Sequence, residues 1–264
     1  MIDAAEYLEA RADSATAYLR PFVRPLMTLD RHGEPDPAGS GVLLWHRGQR
    51  YLISAAHVFD VFQTSALLLG TDSKWKQLTG QYRASPVAPG ARRESDSADF
   101  AFLPVSEMDA GELDGCQFLT GSQTLLRETV AFDPPRRSKY LAIGYPINRF
   151  NFDRKHNATV PLLGRVISTT ATREEYAAHR RSPETHVLMQ LEHKGAHARG
   201  GTLGRLPKLE GMSGGALATM PAITRLADPS PPRLVGLVTE YWAAHDLLVG
   251  IRIDIVLNAI EAAA

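Results

Sequence analysis

The chain has 264 residues, 44% of them hydrophobic and 22% charged, with 29 basic residues against 29 acidic ones. Such a composition excludes wholesale disorder, and zero formal charge argues against a dedicated binder of nucleic acid or anionic membrane. The single cysteine, Cys116, excludes a disulfide framework and a cysteine-based zinc site.

Ala5, Leu8, Ala12, Ala15 and Leu19 recur every three or four residues, which predicts an amphipathic helix that Pro21 ends. The opening residues show no cationic stretch leading into an apolar run, and no apolar run approaches a membrane span. A soluble protein of a reducing compartment, the cytoplasm, is the expectation, with neither membrane nor nucleic acid as partner. Beyond Pro21, apolar runs of strand length alternate with Gly, Pro, Asp and Ser, at 41–45, 50–54, 66–69, 100–103, 140–143, 164–168, 186–191 and 234–238. No helical pattern separates them regularly, so the prediction is all-β and not a doubly wound α/β sheet. The runs fall into two groups. They predict a helix at 1–21, a first β unit at 22–105, a connector at 106–139 and a second β unit at 140–264. That last unit closes with a helix bearing Ile253, Val256, Leu257 and Ile260 on one face and Asp254 as N-cap. Long loops at 84–98, 192–206 and 220–232 are of the kind that carry function or move.

Three segments carry chemistry. Ser54-Ala55-Ala56-His57-Val58-Phe59 presents an imidazole just past a strand. Asp99 opens an apolar strand, where an unpaired carboxylate would be costly; a cationic or hydrogen-bonding partner, or a turn to cap, removes that cost. In Gly211-Met212-Ser213-Gly214-Gly215, glycines around a serine permit backbone shapes that a Cβ forbids and can aim two N–H groups at one point. Serine is a weak nucleophile until a histidine takes its proton, and the histidine needs a carboxylate to fix its tautomer. The order His57, Asp99, Ser213 supplies all three. The same Gly-x-Ser-x-Gly spacing fits the nucleophile elbow of α/β-hydrolases, which needs a helix after the serine, then an acid and a histidine. Only Asp228 and His245 would serve there, and no helical pattern follows Ser213. His193 and His197 beside Glu192 read as a basic loop; no metal or cofactor is expected.

On these residues the sequence resembles the trypsin-like (chymotrypsin-fold) serine peptidases, nearer the simple intracellular bacterial and HtrA-type members than the secreted disulfide-bonded ones. The likeness is carried by SAAHVF at 54–59, DFAFL at 99–103, AIGYP at 142–146, GMSGGAL at 211–217, VGLVTEY at 235–241 and GIRIDIVLNAI at 250–260. It implies two six-stranded antiparallel β-barrels, His57 and Asp99 on the first and Ser213 on the second. It also implies a serine endopeptidase that cleaves protein or peptide substrates through an acyl-enzyme. The Gly211 and Ser213 amides would form the oxyanion hole, and Thr239 would lie on the strand that pairs with substrate. Met212 stands where secreted trypsins carry an acid that pairs with a freed N-terminus, so that switch cannot operate. Ala216 replaces a common proline. The positions that select Arg or Lys fall on Pro207 and near Leu248, neither acidic, with Tyr241 as a wall and with Glu210 and Glu240 at the rim or pointing away. Cleavage after apolar or small residues is therefore expected. Family analogy adds a regulatory protein partner, and a catalytically silent peptide-binding module of the same fold is the alternative.

Overall fold

The computed structural model describes residues 4–33, 35–71, 74–105, 113, 116–126, 130–132, 137–153, 158–191, 209–220 and 231–263. Helix α1 (Ala4–Leu19) stops at a short 3-10 turn, Arg20–Phe22, because proline lacks the N–H a helix needs and restricts the residue before it. The first sheet is built from β1 (Val23–Leu29), β2 (Pro35–His46), β3 (Gln49–Ser54), β4 (Leu67–Gly70), β5 (Trp75–Gln77), β6 (Arg83–Ala84), β7 (Ala101–Pro104) and β8 (Leu119–Thr120), with helix α2 (Ala56–Asp60) directly after β3. Its order is β5-β4-β1-β2-β3-β7-β6, and β8 adds to β2 in parallel.

The second half contributes β9 (Lys139–Gly144), β10 (Phe150–Asp153), β11 (Ala158–Pro161), β12 (Gly164–Thr170), α3 (Arg173–Ala178), β13 (His186–Gln190), β14 (Ala216–Met220), β15 (Leu234–Trp242), β16 (Leu247–Arg252) and α4 (Ile253–Ala263). Six of these strands close into an antiparallel barrel, β12-β13-β16-β15-β14-β9, and β10–β11 is a separate hairpin. The architecture is mostly β: one closed barrel, a barrel-like counterpart and a helix at each end, as predicted. Among the described residues no helix is long and apolar enough to cross a membrane.

The strands read as apolar on both faces because each face has its own core. Leu43, Leu52, Ala101 and Leu103 fill the interior of the first sheet, while the alternate residues Val42, Leu44, Tyr51, Ile53, Phe100 and Phe102 face the second half. Leu141, Ile143, Ala216 and Ala218 meet them, whereas Tyr140, Ala142 and Leu217 point into the second barrel. Ala12, Ala15 and Leu19 of α1 and Val256, Leu257 and Ile260 of α4 complete this inter-sheet cluster. Arg165 on β12 ties α1 down through Glu9 and Asp13, each at 2.6 Å. Asp254 is not the N-cap: the helix begins at Ile253, and the carboxylate sits inside the first turn, where it accepts from Arg252 Nε at 3.1 Å and favours the helix dipole.

Candidate active site

Buried Ala55 and Ala56 let the chain turn from β3 into α2, leaving the His57 side chain 42% exposed. Asp99, just ahead of β7, adopts φ +40°, a left-handed conformation that aspartate tolerates better than most residues. That turn aims both carboxylate oxygens at one target. Oδ2 lies 2.7 Å from His57 Nδ1, Oδ1 accepts the His57 amide at 3.0 Å, and the Asp99 carbonyl accepts the Ala56 amide at 3.1 Å. The carboxylate is only 6% exposed. Because a carboxylate can only accept, Nδ1 carries the proton and the lone pair of neutral His57 is on Nε2.

The turn before Asp99 is itself clamped. Asp96 accepts the Ser85 hydroxyl, the Ala98 amide at 2.9 Å and Arg93 at 2.8 Å, while Arg93 also holds Asp60 of α2 at 2.8 Å. Burial alone would lower the His57 pKa, but the Asp99 hydrogen bond and charge, with Glu240 and Asp60, outweigh it and hold the value above the ordinary 6.5. His57, Asp60, Arg93, Asp96, Asp99 and Glu240 line a cavity of about 400 Å³.

The loop bearing Ser213 is shaped by its glycines. Gly211 and Gly214 take φ +89° and +80°, and a Cβ on Gly214 would fall 2.0 Å from the Ser40 carbonyl and the Ser54 hydroxyl. A Cβ on Gly215 would meet the Ile143 carbonyl at 2.3 Å. Ser40, on β2, reaches across and fixes this loop. Its amide donates to the Ser213 carbonyl at 2.8 Å and its hydroxyl to the Gly211 carbonyl at 2.9 Å, while the Tyr145 amide donates to that hydroxyl at 2.8 Å. Ser54 donates to the Ser40 carbonyl at 2.6 Å. Sequence reasoning missed Ser40 and Ser54. The available signal was Gly39 and Gly41 inside a strand, which marks close backbone approach: a Cβ on Gly39 would touch Val58 of α2 at 2.8 Å and the Ser213 carbonyl at 3.0 Å. The histidine helix and the serine loop meet at that point.

Among the described residues neither the Gly211 nor the Ser213 amide donates to an acceptor, so both are free to bind an oxygen. The Ser213 hydroxyl donates to the Thr239 carbonyl at 3.1 Å, and among the described residues no hydrogen bond joins it to His57. Met212 is fully buried with Leu209 and Leu248, Tyr241 packing against them. Glu240, expected at the rim of the pocket that selects Arg or Lys or turned away from it, lines the cavity beside His57, and the β15–β16 register shifts between Val238 and Glu240. Pro207, the 192–206 loop with His193 and His197, and Asp228 lie outside the described residues. Ser213 leads into strand β14, not a helix, which removes the hydrolase-elbow reading. Among the described residues no group of three His, Cys, Asp or Glu is placed to hold a metal.

No family model matches the chain, and no curated protein matches it. Among solved structures it is similar to neuropsin, a serine protease expressed in the limbic system of mouse brain. The TM-score is 0.56 at 15% identity, over 92% of this chain and 94% of that one. The fold is that of the trypsin-like serine proteases.

Proposed function

We propose that the protein is a serine endopeptidase in which His57, Asp99 and Ser213 act as one unit. The observation that carries this reading is the buried Asp99 carboxylate bonded at 2.7 Å to His57, on a helix that meets the serine loop with its two free amides. An extended substrate adds to β15 and its amide takes the Thr239 carbonyl, which releases the Ser213 hydroxyl toward His57. Ser213 Oγ attacks the scissile carbonyl carbon as its proton passes to His57 Nε2. The Gly211 and Ser213 amides hold the oxyanion, and His57 returns the proton to the departing amine. Water then hydrolyses the acyl-enzyme by the same route. The positions that would select Arg or Lys, Pro207 and the strand near Leu248, carry no acid, which supports an apolar or small acyl residue. With Met212 buried there, activity needs no freed N-terminus, and control passes to a protein partner, as in the intracellular bacterial and HtrA-type members the sequence resembles; a cytoplasmic setting accords with its lone cysteine.

The resting bond from Ser213 to Thr239 is what a silent peptide-binding module would also show. A labelled fluorophosphonate separates the two. The peptidase reading expects covalent label on Ser213, abolished in Ser213→Ala and in His57→Ala. Peptide binding without label or hydrolysis would leave the module.

A further inference from the structure

The cavity beside His57 is strongly charged, and its charges are not balanced. Asp60 and Asp96 share the single guanidinium of Arg93, and Asp99 is committed to His57. Glu240 is the most loosely paired of the four carboxylates. Its Oε2 accepts the Trp242 indole N–H at 2.6 Å, which holds the carboxylate in place, and among the described residues its ion pair is with Arg181 at 3.8 Å. It is one residue past Thr239, whose carbonyl the substrate amide takes in the proposed mechanism, and it lines the cavity with His57.

We propose that Glu240 is a specificity-determining residue that selects a cationic side chain, lysine or arginine, at the substrate position immediately before the cleaved residue. The inference rests on the peptidase reading above. In an extended substrate successive side chains point to opposite faces. With the acyl side chain turned to one face of that strand, the preceding side chain turns to the other, toward the cavity beside His57. A volume of about 400 Å³ accommodates the long side chain of lysine or arginine. A neutral side chain there would leave Glu240 facing the cavity with only its 3.8 Å pair to Arg181. A cation gives it a closer partner, whereas an anion would enter a lining that sets four carboxylates against one guanidinium. The apolar preference at the acyl position and the cationic preference next to it come from separate walls of the cleft.

The groups facing His57 are Asp99 ahead of β7, Asp60 on α2, Arg93 and Asp96 on the preceding loop, and Glu240 on β15. A substrate cation paired with Glu240 offsets one of the charges that favour protonated His57. The acidic limb of kcat therefore lies at lower pH for a cationic substrate than for its neutral isostere.

The test is a pair of peptides identical but for lysine or norleucine at that position. The wild type is expected to show kcat/KM about fivefold higher for the lysine peptide at low salt, the upper end for a partly exposed charge pair. The ratio should contract with added salt, because screening weakens exposed pairs. In Glu240→Gln the ratio, taken within the variant, should fall to about twofold or less. A wild-type ratio near one, a ratio that ignores salt, or one that survives in Glu240→Gln overturns the proposal while leaving the peptidase reading intact. Absence of all hydrolysis together with absence of fluorophosphonate label on Ser213 overturns both.

Discussion

A general base must be neutral before it can accept a proton, so in the proposed mechanism the position of His57 on the pH scale limits activity. Burial pulls its pKa down and the Asp99, Glu240 and Asp60 carboxylates pull it up further, with a net rise above 6.5. The kcat/KM profile should therefore climb with an apparent pKa above the ordinary histidine value, measured with a neutral peptide. Asp99→Asn removes the largest upward contribution and the tautomer lock together; the limb should move down while the rate falls by about 10³–10⁴-fold. Gly211 makes a second prediction. Its φ of +89° and the atoms 2.8–2.9 Å from an added Cβ, on Tyr145 and Ile147, leave alanine no room without moving the amide. Gly211→Ala should lower kcat by about 10²–10³-fold, the cost of one oxyanion donor, in single-turnover kinetics.

At the scale of elements, the serine loop belongs to the second barrel but is held by β2 of the first sheet through Ser40. Ser40→Ala leaves the Gly211 carbonyl and the Tyr145 amide without their partner and should cost about 1–3 kcal/mol in denaturant unfolding. Its kcat should fall with it, since the oxyanion amides sit in the same loop. A second tie runs the other way: His186 of β13 bonds the Ser97 carbonyl at 2.7 Å, two residues before Asp99. Burial, with Arg181 adding, lowers the His186 pKa, so the folded protein holds it neutral. The unfolded chain then binds more protons, and its contribution to stability is lost as pH falls below about 6.5 toward the folded value. His57 works in the opposite sense, its contribution being full at low pH and lost as pH rises through its raised value. His186→Gln should flatten the acid side of the stability curve in thermal unfolding against pH. These ties explain what the sequence disclosed and what it hid. The candidates His57, Asp99 and Ser213 could be picked out because each lies beside small residues next to a strand end, a local pattern. Ser40, Ser54 and His186 act on partners more than 80 residues away or across strands, and nothing beside them in the chain records the partner. Strand β1, with Pro25 inside it, and the two-residue β6 and β8 were too short or too interrupted to show a period. The face that Glu240 takes follows from a bulge on β15, which no local pattern announces.

For the whole molecule, one apolar cluster joins both sheets and both end helices, so the two halves are expected to unfold as one unit. Leu19, fully buried in it, should cost about 2–5 kcal/mol when changed to alanine. Arg165→Ala, which removes two largely exposed ion pairs to α1, should cost no more than about 1 kcal/mol. A single calorimetric transition that shifts with Leu19→Ala, and hardly at all with Arg165→Ala, checks both. The strand order of the closed barrel bears on how such a molecule is made. His57, Asp99 and Ser213 all precede β16 in the chain, yet β16 sits between β13 and β15. A nascent chain that already carries every reactive residue still has an open barrel, with Thr239 on a strand lacking its neighbour. The strand on which the proposed mechanism seats its substrate is therefore complete only once residues 247–252 have joined the barrel.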